Sequence, residues 1–189
     1  RGARRGGCSP ARPKPCRLER GRLLSEARQE KYEGSYDTSA RLKTQGRQEF
    51  QYGRVEARIK VPSGAGLWPA FWMLGANFTG SNWPDCGEID IMEYVGREPD
   101  LVIGTAHGPG YSGALGMSQW NRQKYNIADD FHTFAIEWQA DQIDWFYDGA
   151  KYYTLTRADV RDREWVFDQP FLLIPHPVSY THLRAHDTV

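Results

Sequence analysis

Three carboxylates stand close together in Gly87-Glu88-Ile89-Asp90-Ile91-Met92-Glu93-Tyr94-Val95, a stretch whose other side chains are mostly strand formers. In a strand, side chains alternate faces, so Glu88 and Asp90 share one face and Ile89 and Ile91 the other. Glu93 is out of phase. A β-bulge near Ile91-Met92, adding one residue to the strand, would return it to the face of Glu88 and Asp90. Acids arranged in this way suit glycoside hydrolysis. A retaining mechanism needs two carboxyl groups about 5–5.5 Å apart, one to attack the anomeric carbon and one to protonate the leaving oxygen. Glu88 and Glu93 are long enough to lean toward each other across the shorter Asp90, which can separate their proton affinities. A solvated edge strand would also tolerate these acids, so the neighbouring sequence has to decide.

The neighbouring motifs are more specific than the acids. Leu67-Trp68-Pro69-Ala70-Phe71-Trp72-Met73-Leu74-Gly75 lies upstream, Trp83-Pro84-Asp85-Cys86-Gly87 leads into the acids, and His107-Gly108-Pro109-Gly110-Tyr111-Ser112-Gly113 follows. Together with the acid core, and in this order, they resemble the laminarinase-type endo-β-1,3-glucanases of glycoside hydrolase family 16. The resemblance runs from about Leu18 to Ile174. It implies that Glu88 is the nucleophile, Glu93 the general acid and base, and Asp90 the group that tunes them. It also implies that Trp72, Trp83 and His107 bind the sugar chain. The substrate would be a β-glucan cut internally in an open cleft. Relatives acting on mixed-linkage β-1,3-1,4-glucan or algal galactan share the acid triad, and a sandwich that binds glucan without cutting it is a further alternative. The chemistry needs no cofactor. Family members often hold a structural calcium, whose ligands the sequence does not reveal.

The elements that must position these residues read as strands. Val55, Ala57, Ile59 and Val61 alternate with Arg54, Glu56, Arg58 and Lys60 between Gly53 and Pro62. Leu67–Gly75 is a continuous apolar run, expected to be buried on both faces. Leu23–Ala27 and Thr38–Lys43 read as short strands around a turn at Tyr32-Glu33-Gly34, and Leu101–His107 as the strand ending at the candidate histidine. In Phe131–Gln139, the set His132, Phe134, Ile136 and Trp138 makes the better core face. Gln142–Tyr147, the turn pair Asp148-Gly149 and Lys151–Leu155 continue it as a meander. Ala158–Arg163 could form one helical turn, and Phe171–Ile174 starts another buried strand. Many short strands without a helical pattern predict an all-β sandwich. The resemblance sharpens this to a jelly roll with an open concave cleft.

Composition sets outer limits. The 189 residues are enough for one domain with a sizeable core. The 24 basic and 24 acidic residues balance, giving no electrostatic case for nucleic acid or a membrane surface. Aromatics make up 13%, including seven Trp and ten Tyr, and such faces serve both packing and sugar stacking. Cys8, Cys16 and Cys86 suggest neither a disulfide framework nor a metal site, and the spacing of His176, His182 and His186 is irregular.

The chain divides into an Arg/Gly/Pro-rich arm (1–17), a catalytic sandwich (18–174) and a tail without periodicity (175–189). The arm lacks the apolar centre of a secretory signal. The tail has a non-native look: the family would continue from Phe171 into a strand carrying Gly and Trp, so the sandwich is expected to be incomplete at its C-terminus with an open apolar edge. A monomer acting outside the cytoplasm is the expected setting.

Overall fold

In the computed structural model, which describes residues 16–32 and 35–176, thirteen strands follow one another with no α-helix among the described residues. Two hairpins come first, β1 (Cys16–Glu19) with β2 (Arg22–Ser25), and β3 (Arg28–Tyr32) with β4 (Ser35–Thr38). Then follow β5 (Gly53–Ile59), β6 (Ala70–Gly75), β7 (Glu88–Glu93), β8 (Leu101–His107), β9 (Met117–Arg122), β10 (His132–Trp138), β11 (Gln142–Tyr147), β12 (Ala150–Thr156) and β13 (Phe171–His176). A five-stranded antiparallel sheet, in the order β13-β6-β7-β8-β9, carries the acids. A four-stranded antiparallel sheet, β12-β11-β10-β5, backs it. The architecture is the all-β sandwich that the patterning predicts.

The core lies between the sheets. One contributes Phe71, Met73, Ile89, Met92, Val102 and Ala106; the other Val55, Phe134, Ile136, Trp138, Ile143, Trp145, Tyr147 and Leu155. Buried indoles must find acceptors. Trp138 Nε1 donates to the Phe167 carbonyl at 2.9 Å and Trp165 Nε1 to the Ala140 carbonyl at 2.9 Å, so the segment between β12 and β13 is fastened to the core. Asp148 and Gly149 have φ of 47° and 80°, the positive values a type I′ hairpin turn requires.

Three expectations need correction. Leu67–Gly75 is not buried on both faces: the strand begins at Ala70, where Phe71 and Met73 enter the core while Ala70, Trp72 and Leu74 stay partly accessible. The run is apolar because its second face is a cleft wall and not bulk solvent. Thr38–Lys43 forms no strand beyond Thr38. Instead the segment from Leu42 to Phe50 lies along β13, where the Leu42 and Thr44 amides donate to the Pro175 and Leu173 carbonyls at 3.2 and 3.1 Å. Phe50 and Phe171 exchange both backbone bonds. The outer edge of β13 is therefore covered over its described length, and the expected open edge is absent there. Conversely β9 leaves no strand signature in the sequence, because Met117-Ser118-Gln119-Trp120-Asn121-Arg122 shows no apolar alternation. The turn at 33–34, Cys8, His182, His186, and most of the arm and tail lie outside the described residues.

The two sheets approach closely above Gly104 of β8. A Cβ there would stand 2.6 Å from both Trp145 Cδ1 and the Tyr152 hydroxyl, closer than real contacts allow. Gly104→Ala is therefore expected to destabilise the fold by about 1–3 kcal/mol through overpacking, measured as a lowered midpoint of urea unfolding.

Candidate active site

The extra residue anticipated in the acid-bearing strand is present. Toward β6, Trp72 pairs with Asp90 and Phe71 with Met92, leaving Ile91 without a partner. Toward β8, Asp90 pairs with Thr105 and Glu93 with Ile103, so Ile91 and Met92 together stand opposite Gly104. Ile91 and Met92 are both buried, and Glu93 returns to the face of Glu88 and Asp90. A bulge of this kind disrupts the ladder and needs substitute hydrogen bonds. Trp145, from the opposing sheet, donates its Nε1–H to the Asp90 carbonyl at 2.9 Å. The close approach at Gly104 is what gives the indole room.

Strand register then builds the face. Leu74, Trp72 and Ala70 of β6 lie beside Glu88, Asp90 and Glu93; His107, Thr105 and Ile103 of β8 lie on their other side. Glu93 accepts from Trp68 Nε1 at 3.1 Å and from Thr105 Oγ1 at 3.2 Å. Thr105 Oγ1 is also 3.0 Å from Ser118 Oγ. Trp83 and Asp90 lie against Glu88, where the indole draws the proton affinity of Glu88 down and the Asp90 charge raises it. Asp90 is 3% exposed, with Oδ2 3.3 Å from His107 Nε2 but not aligned for a hydrogen bond.

The sequence-nominated binding residues all reach this face. Trp83 is about half exposed, and its ring centroid is 5.9 Å from that of His107. Trp72 stands next to Asp90, and its indole Nε1 donates to His176 Nδ1 at 2.8 Å. Burial and the nearby Arg41 charge push the His176 imidazolium pKa down to about 4, which leaves that ring neutral and able to accept. Sequence reasoning missed Trp68, Thr105, Ser118 and Trp145. Trp68 lay within a quoted motif and Thr105 within a predicted strand, whereas Trp145 acts through a cross-sheet contact that no local pattern encodes.

Burial dominates the electrostatics. It raises the proton affinity of all three acids, and at Glu88 and Asp90 the charge of a neighbouring acid adds to the effect. Glu88 is pushed up to about 8, first by burial and then by the Asp90 charge, against the pull of His107 and the Trp83 hydrogen bond. Glu93 is also raised by burial, but His107 and the donors Thr105 and Trp68 oppose the shift. The face can therefore hold protonated and ionised carboxyls side by side near neutral pH.

Among the described residues, the group of metal-capable side chains close enough to share an ion is Glu88, Asp90 and His107. Two carboxylates and an imidazole do not fit calcium, which takes six to eight oxygen ligands. The implied structural calcium therefore gains no support from the described side chains.

Two predictions follow from this geometry. A carboxyl whose proton affinity is raised on folding binds more protons folded than unfolded, so stability should fall as pH rises from about 4.5 through about 8. The Glu88 contribution is at most about 1.4 kcal/mol per pH unit, less to the extent that this half-open carboxyl is hydrated. Glu88→Gln should flatten the slope of melting temperature against pH across that window. Trp145→Phe keeps most of the packing but leaves the Asp90 carbonyl without the indole donor. It should cost about 1–3 kcal/mol in denaturant unfolding.

Residues 17–181 match the pattern of Glycosyl hydrolases family 16. The chain is 46% identical over 172 residues to a Beta-glucanase of Rhodothermus marinus, covering 87% of this chain and 60% of that protein. It therefore spans less than two thirds of that relative. The structure superposes on the endo-beta-1,3-glucanase of Pyrococcus furiosus with a TM-score of 0.83 at 44% identity, covering 87% of this chain and 66% of that one. It superposes on the laminarinase catalytic domain of Thermotoga maritima with a TM-score of 0.85 at 43% identity, covering 88% and 70%. The sandwich is the jelly roll of those laminarinases, and the chain belongs to glycosyl hydrolase family 16.

Proposed function

We propose that this protein cleaves internal β-1,3-glucosidic bonds of laminarin-like glucans with retention of anomeric configuration. The observation that carries the reading is the bulge at Ile91, which brings Glu88, Asp90 and Glu93 onto one face beside His107. Similarity to a beta-glucanase and to endo-beta-1,3-glucanase structures supports the choice of substrate.

In the first step a Glu88 carboxylate oxygen attacks the anomeric carbon. The bond to the leaving glycosidic oxygen breaks, and that oxygen takes the proton of Glu93. In the second step Glu93, now ionised, removes a proton from water as the water attacks the same carbon and frees Glu88. Burial raises the proton affinity of Glu88 and Glu93 alike, whereas the first step needs Glu88 ionised and Glu93 protonated. Asp90 reconciles the two. Its own raised proton affinity and its place between them on one face let it hold a proton beside Glu88 as the sugar displaces water. Trp83 and Trp72 flank the acids as sugar-binding walls, with His107 beside Glu88 and Asp90. The steps call on no cofactor. The protein would act as a single protomer outside the cytoplasm, where such polymers are met.

Azide rescue tests the assignment. Glu88→Ala and Glu93→Ala should each lower turnover on laminarin by about 100-fold or more. With an activated aryl β-glucoside of laminaribiose, azide should restore Glu88→Ala to give the α-glycosyl azide and Glu93→Ala to give the β-azide. The opposite products would exchange the two roles, and full activity of either variant would refute the mechanism. Parallel digestion of laminarin, lichenan and agarose checks the substrate.

A further inference from the structure

The acid row continues across the sheet to a residue that the mechanism leaves unused. Glu93 pairs with Ile103 of β8, and Ile103 pairs with Trp120 of β9, so the three side chains lie in one line on one face. The row beside it runs from Asp90 through Thr105 to Ser118. It is joined to the first by hydrogen bonds, since Thr105 contacts both Glu93 and Ser118. Trp120 therefore belongs to the surface that begins at the acids. At the usual strand spacing it is about 10 Å from Glu93.

Its exposure distinguishes it from the core indoles. Trp138 and Trp145 are 1% and 0% exposed, whereas Trp120 is 54% exposed. Leaving so large an apolar surface in water forgoes the stabilisation that burial would bring. The surroundings fit a neutral polyhydroxylated ligand better than a charged one. Ile103 is a buried apolar floor between Trp120 and Glu93, and Arg122, the next residue on the same face of β9, is held by Glu98 and Asp100. An apolar plane continuous with a row of hydroxyl and carboxyl groups matches a pyranose ring, which has C–H groups on its face and hydroxyls at its rim.

We propose that Trp120 is a stacking platform for a hexopyranose unit of the polymer, remote from the bond being cut and on the β9 side of the acids. The proposal rests on the reading of the acid row as a glycosidase site and extends it to substrate length. A unit stacked there adds binding in ground state and transition state alike, so its loss raises KM and spares kcat.

The test compares Trp120→Ala and Trp120→Phe with wild type on whichever polymer wild type cleaves, and on the shortest oligosaccharide that it cleaves. Trp120→Ala should raise KM for the polymer about tenfold, with kcat within about twofold, and Trp120→Phe should recover most of the loss. The shortest oligosaccharide should show little change, because it does not reach β9. An unchanged polymer KM, or an equal loss on both substrates, overturns the proposal. Cleavage of agarose in place of laminarin would refute the glucanase reading, while the Trp120 comparison would still report on the platform. If wild type cuts no polymer, retardation in gels containing laminarin, lichenan or agarose replaces the kinetics. Loss of retardation in Trp120→Ala supports the platform, equal retardation overturns it, and no retardation of wild type overturns both readings.

Discussion

The site depends on a single extra residue in β7 and on the hydrogen bond that stabilises it. Without Ile91 as a bulge, strand alternation would point the third acid into the sandwich, where a carboxylate could survive only by neutralising. With it, the Asp90 carbonyl takes a proton donor from Trp145 in the other sheet. That contact runs through the core, so the aim of Glu93 is set by how closely the sheets approach at Gly104 and not by the cleft alone. Packing and chemistry are here one constraint. A change in the interior that shifts Trp145 would be felt first at the acid row.

The core repeats this device elsewhere. Trp138 and Trp165 each spend their indole N–H on a backbone carbonyl of a connecting segment, as Trp145 does on the bulge. Aromatic side chains suit the task because they fill volume on one side and present a directional donor on the other. The high aromatic content noted in the sequence thus has two separate uses. Trp138, Trp145, Trp165 and Tyr111 hold irregular backbone in place, while Trp83 and Trp120 remain open on the acid-bearing side.

The parts of this arrangement that are local were legible in the sequence. The clean alternation of β5, the meander β10-β11-β12 with its Asp148-Gly149 turn, and the parity defect at Glu93 all follow from period-two side chains and turn chemistry. The need for a bulge was readable because three acids with one purpose had the wrong spacing for a regular strand. What could not be read is carried by contacts distant in sequence. The cross-sheet bond from Trp145 spans 55 positions, and the cover over β13 comes from residues more than 120 positions earlier. β9 escaped because an edge strand half in solvent does not have to alternate, and with it escaped Trp120. Leu67–Gly75 misled for the opposite reason: a cleft wall built of Trp72 and Leu74 has the composition of a core face.

The surroundings of the acids bear on why three carboxyls are kept where the proposed mechanism uses two for the chemistry. Glu93 has two donors of its own, Trp68 and Thr105, and Glu88 has Trp83. Asp90 has almost no exposure and one oxygen without an aligned partner, so as an isolated ion it would be the most costly of the three. Its position between the other two lowers that cost, because it can share a proton with Glu88 or yield to charge on Glu93. In the proposed double displacement the carboxyl that protonates the leaving oxygen becomes the base that takes the proton from water, while the nucleophile stays ionised until it attacks. At this burial, keeping the nucleophile ionised needs a neighbouring group that can hold the proton in its place. Asp90, whose proton affinity burial and the Glu93 charge hold well above the ordinary carboxylate range, is placed to keep that proton beside Glu88.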